Sequence, residues 1–368
     1  MRNPGLATLG KKTIQRGSRI RVLVVDDSVV IRRLVTHALS QDPTLEVVGS
    51  ASNGAIALAR IPQLNPDVMT LDIEMPDMDG LETLRRLRQS YKDVRVIMFS
   101  TLTERGAAIT IEALTLGADD YVAKASNKGA LDRSMASLRD ELIPKIKQFF
   151  VLQEAGAPTP ALSTNGARAL TFVPFRQTSP PKVVAIGVST GGPTALGQII
   201  PQFPASFALP VLIVQHMPPL FTRLLAERLQ VSSPLKIQEA SEGALVEPGK
   251  ILIAPGDYHM RVAREGTQTV VTLDQGPPEN SCRPSVDVLF RSVEEVYGGA
   301  TIAAVLTGMG YDGARGASVL KAAGAYVIAQ DEATSVVWGM PGAVVRAGLA
   351  DTVVPLDGVL SAMLRRMA

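Results

Sequence analysis

Lys182–Ala195 reads KVVAIGVSTGGPTA: an apolar run, a serine, two glycines and a proline, then the start of a helical pattern. A strand that passes through a glycine-rich turn into a helix is half of a βαβ unit. Downstream, VLIVQ (211–215), ILIAPG (251–256), TIAAVLTG (301–308) and AYVIAQ (325–330) repeat the strand, with helix-like stretches between most of them. Upstream, RVLVV (21–25), EVVGSA (46–51), VMTL (68–71), VRVIMF (94–99) and DYVA (120–123) do the same. Patterns such as VVIRRLVTHAL and LETLRRLRQ lie between these, apolar every three or four positions. The alternation predicts an α/β fold class with two doubly wound parallel-sheet domains.

A chain of 368 residues exceeds what one core normally supports, which also argues for two domains. From about Gln153 to Pro181 the texture changes to proline, serine, threonine and glycine, as in a linker. The expected division is a disordered tail at 1–19, a first domain at 20–140, a linker at 141–180 and a second domain at 181–368. The first 21 residues carry six basic side chains and no acid, and they lack the apolar core of a signal peptide. A net charge of +2 gives no reason to expect nucleic acid as a partner, and no run is long enough to insert in a membrane. The single cysteine, Cys282, excludes an internal disulfide and a zinc site built of cysteines. A cytoplasmic protein is expected.

In an open parallel sheet the ligand site lies beyond the carboxyl ends of the strands. In the first domain those ends carry Asp26, Asp27 and Ser28, then Asp72, then Ser100 and Thr101, then Lys124. Gathered together, the three carboxylates repel one another unless a cation offsets them. A hard divalent ion, Mg²⁺, suits an all-oxygen set, and Lys124 adds a further positive charge. The combination fits phosphoryl transfer onto a carboxylate, with the central Asp72 as acceptor. Asp77 and Asp79 are read as turn caps.

In the second domain the turn GVSTGG fits either a phosphate cradle or the nucleophile spacing G-x-S-x-G. It lacks G-x-G-x-x-G, G-K-[ST] and a ribose-binding acid after the next strand, where His216 stands instead. Ser189 with a histidine at the neighbouring strand end suits nucleophilic catalysis, with the Thr190 N–H available to an oxyanion. His216 leads as base because sequential strands are often neighbours, and His259 competes with it. His37 lies on a first-domain helix and is read as structural. Asp257, Asp274, Asp287 and Asp312 are candidates to orient the base, Asp312 fitting a helix N-cap equally well. Cys282 is read as a space-filling residue with nothing nearby to activate it. A base near the unperturbed histidine value predicts activity that falls as the pH drops through about 6.5.

The first domain resembles the receiver domain of bacterial response regulators. That likeness implies a flavodoxin-like fold, metal-binding Asp26 and Asp27, phosphorylated Asp72, hydroxyl switch Ser100, Lys124, and the Glu74 backbone carbonyl on the metal. One departure is Ala125, where the family usually has proline after the lysine. With IGVSTGGPTAL, QHMP, APGDYHM, RPSVDVLF and LTGMGYDGA in order, the whole resembles the chemotaxis protein-glutamate methylesterase family, CheB-type. The likeness implies a Rossmann-like catalytic domain with Ser189 as nucleophile, His216 as base and Asp312 as orienting acid. Backbone near Thr190 and Met309 would line the oxyanion site. It further implies hydrolysis of glutamate γ-methyl esters on the cytoplasmic helices of chemoreceptors, with glutamine deamidation in some members. A chemotaxis histidine kinase would phosphorylate Asp72 and thereby lift a block by the receiver.

Overall fold

A computed structural model describes residues 12–152 and 179–367, apart from 16, 102 and 125–130. Ala125 and the bond that precedes it therefore lie outside the described residues, as does most of the expected linker.

The first domain is a five-stranded parallel sheet. Strands β2 (Ile20–Val25), β3 (Leu45–Ala51), β4 (Val68–Asp72), β5 (Arg95–Ser100) and β6 (Asp120–Ala123) lie in the order β3-β2-β4-β5-β6. Helices α1 (Val29–Ser40), α2 (Gly54–Leu64), α3 (Gly80–Ser90), α4 (Glu104–Thr115) and α5 (Leu131–Lys147) follow the strands in turn. Their starts have local causes: the Ser28, Asn53, Asp79 and Thr103 side chains each accept a bond from a backbone N–H three residues on. Asp79 is thus a helix cap, as its position in a turn suggests.

The boundaries differ from the expected ones at both ends of this domain. Within the segment expected as a tail, β1 (Lys12–Ile14) pairs in parallel with β7 (Phe150–Leu152). Ile14, Phe149 and Phe150 are buried against Ile20 and Val22, and Lys12 Nζ lies 2.6 Å from Asp67 Oδ1. Burying three large apolar side chains is what orders these flanks. The ordered part of the first domain therefore reaches Leu152 and takes in residues assigned to the linker.

The second domain carries seven parallel strands in the order β10-β11-β9-β8-β14-β15-β16. These are β8 (Val183–Val188), β9 (Val211–Gln215), β10 (Lys236–Glu239), β11 (Lys250–Ile253), β14 (Thr301–Val305), β15 (Tyr326–Gln330) and β16 (Thr352–Val354). An antiparallel pair, β12 (His259–Glu265) with β13 (Gln268–Asp274), was not expected from the sequence. Side chains alternate across a strand, and β8 shows the result. Val184, Ile186 and Val188 pack with α6 (Gly192–Ile199), α7 (Phe221–Gln230) and α11 (Val359–Met367). Val183 and Ala185 face α8 (Val286–Tyr297), α9 (Ala314–Ala322) and α10 (Met340–Arg346) on the other side. A sheet apolar on both faces reads as a continuous hydrophobic run, which is why KVVAIGV shows no polar alternation.

The two domains meet along α4, β6 and the end of α5 on one side and α6 and α7 on the other. Tyr121 stacks on Phe221 with ring centroids 4.8 Å apart. The Thr194 hydroxyl donates to the Leu114 carbonyl at 2.7 Å, and Arg223 pairs with Glu104 at 2.7 Å.

Candidate active site and phosphorylation site

The first domain's strand ends assemble the acidic cluster. Oxygens of Asp26, Asp27 and Asp72 come within 4.8 Å of one another. Lys124 Nζ reaches between them, 2.7 Å from Asp72 Oδ1 and 3.0 Å from Asp26 Oδ2. Burial pushes Asp72 up to about 6 in spite of that lysine. Burial also works against the Lys124 ammonium, but Asp72 and Asp26 outweigh it and hold its pKa above the ordinary value. Asp26 Oδ2 is buried, with only the Lys124 ammonium beside it. The donor set is all oxygen and fits a hard divalent ion. A cavity of about 300 Å³ opens here, lined by Asp27, Asp72, Glu74, Thr101 and Lys124 among others.

The Ser100 hydroxyl is not brought into that cluster. It is fully buried and turns to α4, near the carbonyls of Thr101 and Gly106, and accepts a bond from Thr110 at 2.6 Å. A buried hydroxyl without such partners is costly, which accounts for its direction. Thr101 lines the cavity in its place.

The second domain's strand ends bring Ser189 and His216 to one cavity, with Asp312 behind the His216 ring. Ser189 follows β8, and its N–H is held by the Thr307 carbonyl after β14. The turn needs its glycines: Gly191 has φ +79, and a Cβ on Gly308 would lie 2.8 Å from the Ser189 Cβ. His216 follows β9 and is bonded through Nε2 to Asp312 Oδ2 at 2.8 Å. Asp312 is 2% exposed and lies at the N-terminus of α8. Val286 N donates to its Oδ2, while Ser285 Oγ and Asn280 Nδ2 donate to Oδ1. A helix start supplies unpaired N–H groups and favours an anion.

These contacts set the charges. Burial would raise Asp312, but the His216 ring and the surrounding donors outweigh it and hold the carboxyl at about 2. Burial would lower His216, but the Asp312 carboxylate and then Cys282 outweigh it and push the ring up to about 9. Cys282 Sγ lies 3.5 Å from His216 Nδ1, so the sequence-based view that nothing stands near this thiol is corrected. The expected midpoint near 6.5 for the base is also corrected, because an unperturbed value does not apply beside a buried carboxylate.

Among the described residues, no acceptor is found for the backbone N–H of Thr190 or of Met309, and no hydrogen bond joins Ser189 Oγ to His216. Both residues line the same cavity as Ser189 and His216, about 430 Å³ in volume. Its roof comes from the first domain: Leu114, Asp120, Tyr121, Lys145 and Gln148. The Thr190 hydroxyl, next to Ser189, lies 3.2 Å from both Asp120 Oδ2 and Gln148 Oε1. Gln148 Nε2 in turn donates to Asp120 Oδ2 at 2.9 Å.

The competing residues fall elsewhere. His259 is buried at the start of β12, with Nε2 3.1 Å from the Pro277 carbonyl. Asp257 pairs with Arg283, and Asp274 pairs with Arg261. Asp287 is buried beside Asp312 and joined to it by Asn280, which donates to both carboxylates. Burial raises its pKa. His37 is exposed near the end of α1. Asn280, Ser285, Asp120 and Gln148 were not singled out from the sequence, where the only hint was that Ser285 lies within RPSVD and Asn280 shortly before it.

A family profile described as CheB methylesterase matches residues 184–363. Another, described as response regulator receiver domain, matches residues 22–136. A protein-glutamate methylesterase/protein-glutamine glutaminase of Trichodesmium erythraeum is 49% identical over 352 residues, 95% of this chain and 99% of its own. One of the same name from a Nocardioides species is 51% identical over 95% of this chain and 96% of its own. The crystal structure of the Thermotoga maritima CheB methylesterase catalytic domain is 43% identical. It matches with a TM-score of 0.50 over 51% of this chain and 99% of that chain.

Proposed function

The chain belongs to the CheB methylesterase family and carries a receiver domain in front, and from this we propose that it is a phosphorylation-activated protein-glutamate methylesterase. Its substrates are γ-methyl esters on the cytoplasmic helices of chemotaxis receptors, and its role is sensory adaptation. Among the described residues no helix is long and apolar enough to cross a membrane.

Ser189 Oγ attacks the ester carbonyl while neutral His216 takes its proton through Nδ1, the nitrogen not committed to Asp312. The Thr190 and Met309 N–H groups hold the developing oxyanion. His216 then returns the proton to the departing methoxide, releasing methanol, and a water molecule activated by the same ring frees the carboxylate. Glutamine deamidation would follow the same course with ammonia leaving. The observation that carries this reading is His216, held by Asp312, sharing one roofed cavity with Ser189.

In the receiver, Asp26, Asp27, Asp72 and the Glu74 carbonyl would hold Mg²⁺, which supplies charge neutralisation for an incoming phosphoryl group. Asp72 accepts that group from a histidine kinase, and Lys124 contributes a second positive charge. The cavity roof is made of receiver residues, so the unphosphorylated form is the blocked one, and a change at Asp72 is expected to loosen that roof.

The decisive experiment uses membranes holding receptors with radiolabelled methyl esters, with purified protein and with or without a small phosphodonor. Labelled methanol should appear and increase with the phosphodonor. No methanol in either condition would overturn the reading.

A further inference from the structure

Cys282 carries the chain's only thiol, and it stands where the proposed mechanism has no use for it. Its Sγ lies 3.5 Å from His216 Nδ1 inside the catalytic cavity. With Zn–S near 2.3 Å and Zn–N near 2.0 Å, a tetrahedral zinc holds its sulfur and nitrogen ligands roughly 3.5 Å apart. The separation therefore matches two ligands of one ion. Metal-binding histidines commonly donate their other N–H to a carboxylate, which fixes the ring and raises its basicity. His216 already has that arrangement, since Nε2 faces Asp312 Oδ2 at 2.8 Å. Asp312 in turn is fixed by Ser285, Asn280 and the start of α8. Cys, His and Asp donor atoms of these three residues come within 4.8 Å of one another.

We propose that Cys282 and His216 form a binding site for a thiophilic divalent ion of the zinc class, and that the ion switches the esterase off. The site is a mixed thiolate–imidazole pair, with Asp312 behind the ring rather than on the metal. Binding displaces the thiol proton and the proton on Nδ1 to solvent and takes the lone pair of Nδ1, the one His216 needs to accept the Ser189 proton. Only the inhibition rests on the esterase reading; the binding does not.

The test has a readout independent of hydrolysis. Full-length protein, free of metal, is titrated with Co²⁺ and then Zn²⁺. One Co²⁺ per chain should produce a sulfur-to-metal charge-transfer absorption that Zn²⁺ abolishes, and Zn²⁺ should shield the single thiol from a thiol reagent. The all-oxygen cluster at Asp26, Asp27 and Asp72 gives no such absorption, so the two sites are distinguished. Cys282→Ser should remove the band, and it should raise the zinc concentration that halves hydrolysis, relative to its own metal-free rate, by at least about tenfold. A chelator should restore the wild-type rate. Absence of the band in wild-type protein, or a thiol as reactive with zinc as without, would overturn the proposal. So would equal zinc sensitivity in Cys282→Ser. A protein that shows the band yet hydrolyses no ester would refute the function while leaving the site standing.

Discussion

His216 is useful as a base only when neutral, and its surroundings favour the charged form. With the ring held at about 9, the neutral fraction grows as pH rises and levels off above that value. Methanol release at saturating substrate should therefore climb through the alkaline range, and Cys282→Ser should move the midpoint down, because Cys282 helps to hold the ring protonated. A profile already flat from neutral pH upward would count against this. Ser189→Ala should reduce hydrolysis by roughly 10³-fold or more. Phosphoryl transfer to Asp72, followed by radiolabel from a phosphodonor, should be unaffected. That Ser189 and His216 stand at neighbouring strand ends was legible in the sequence, because each directly follows an apolar strand. Spacing did not decide among the four aspartates, since the contact of Asp312 with His216 spans 96 positions, and only the likeness of LTGMGYDGA to the CheB-type family singled it out. The nearness of Cys282 to the same ring was invisible for a like reason, and a residue's neighbours decide its chemistry.

Elements explain how one domain touches the other's chemistry. The end of α5 and the start of β6 place Gln148 and Asp120 over Thr190, whose one hydroxyl proton the two acceptors share, a contact of modest net worth, about 1 kcal/mol. Gln148→Ala should raise the basal hydrolysis of unphosphorylated protein by about two- to tenfold, since the closed form loses bonds that the open form never makes. Unchanged basal activity would place the restraint elsewhere in the interface, with the Tyr121–Phe221 stack as the next candidate. The strands flanking each site were legible as apolar runs. The β12–β13 hairpin was not, because HMRVARE and QTVVTLD mix charged with apolar side chains too loosely to stand out. Nor was β1, a three-residue strand whose partner lies far along the chain and whose order depends on that partner.

For the molecule as a whole, the two sites are chemically independent and mechanically joined. Asp72→Asn should keep basal hydrolysis and lose stimulation by a phosphodonor, and stimulation that survives would remove the receiver from control. The acceptor carboxylate shares its cluster with Asp26 and Asp27, so labelling of Asp72 should depend on a divalent ion and should be lost when a chelator removes it. Composition and alternation made both α/β domains legible. They carried no information on which faces meet, because an interface lined by Leu114, Tyr121 and Phe221 uses the same residue types as a core.

The roof over Ser189 belongs to the same polypeptide as the floor. Closure is consequently a first-order event whose balance does not shift with dilution, unlike inhibition by a separate subunit. A cell holding few copies would keep each one as tightly restrained as a concentrated preparation does. On the proposed reading, the restraint by the roof would then follow the phosphoryl supply, and not how much of the protein is made.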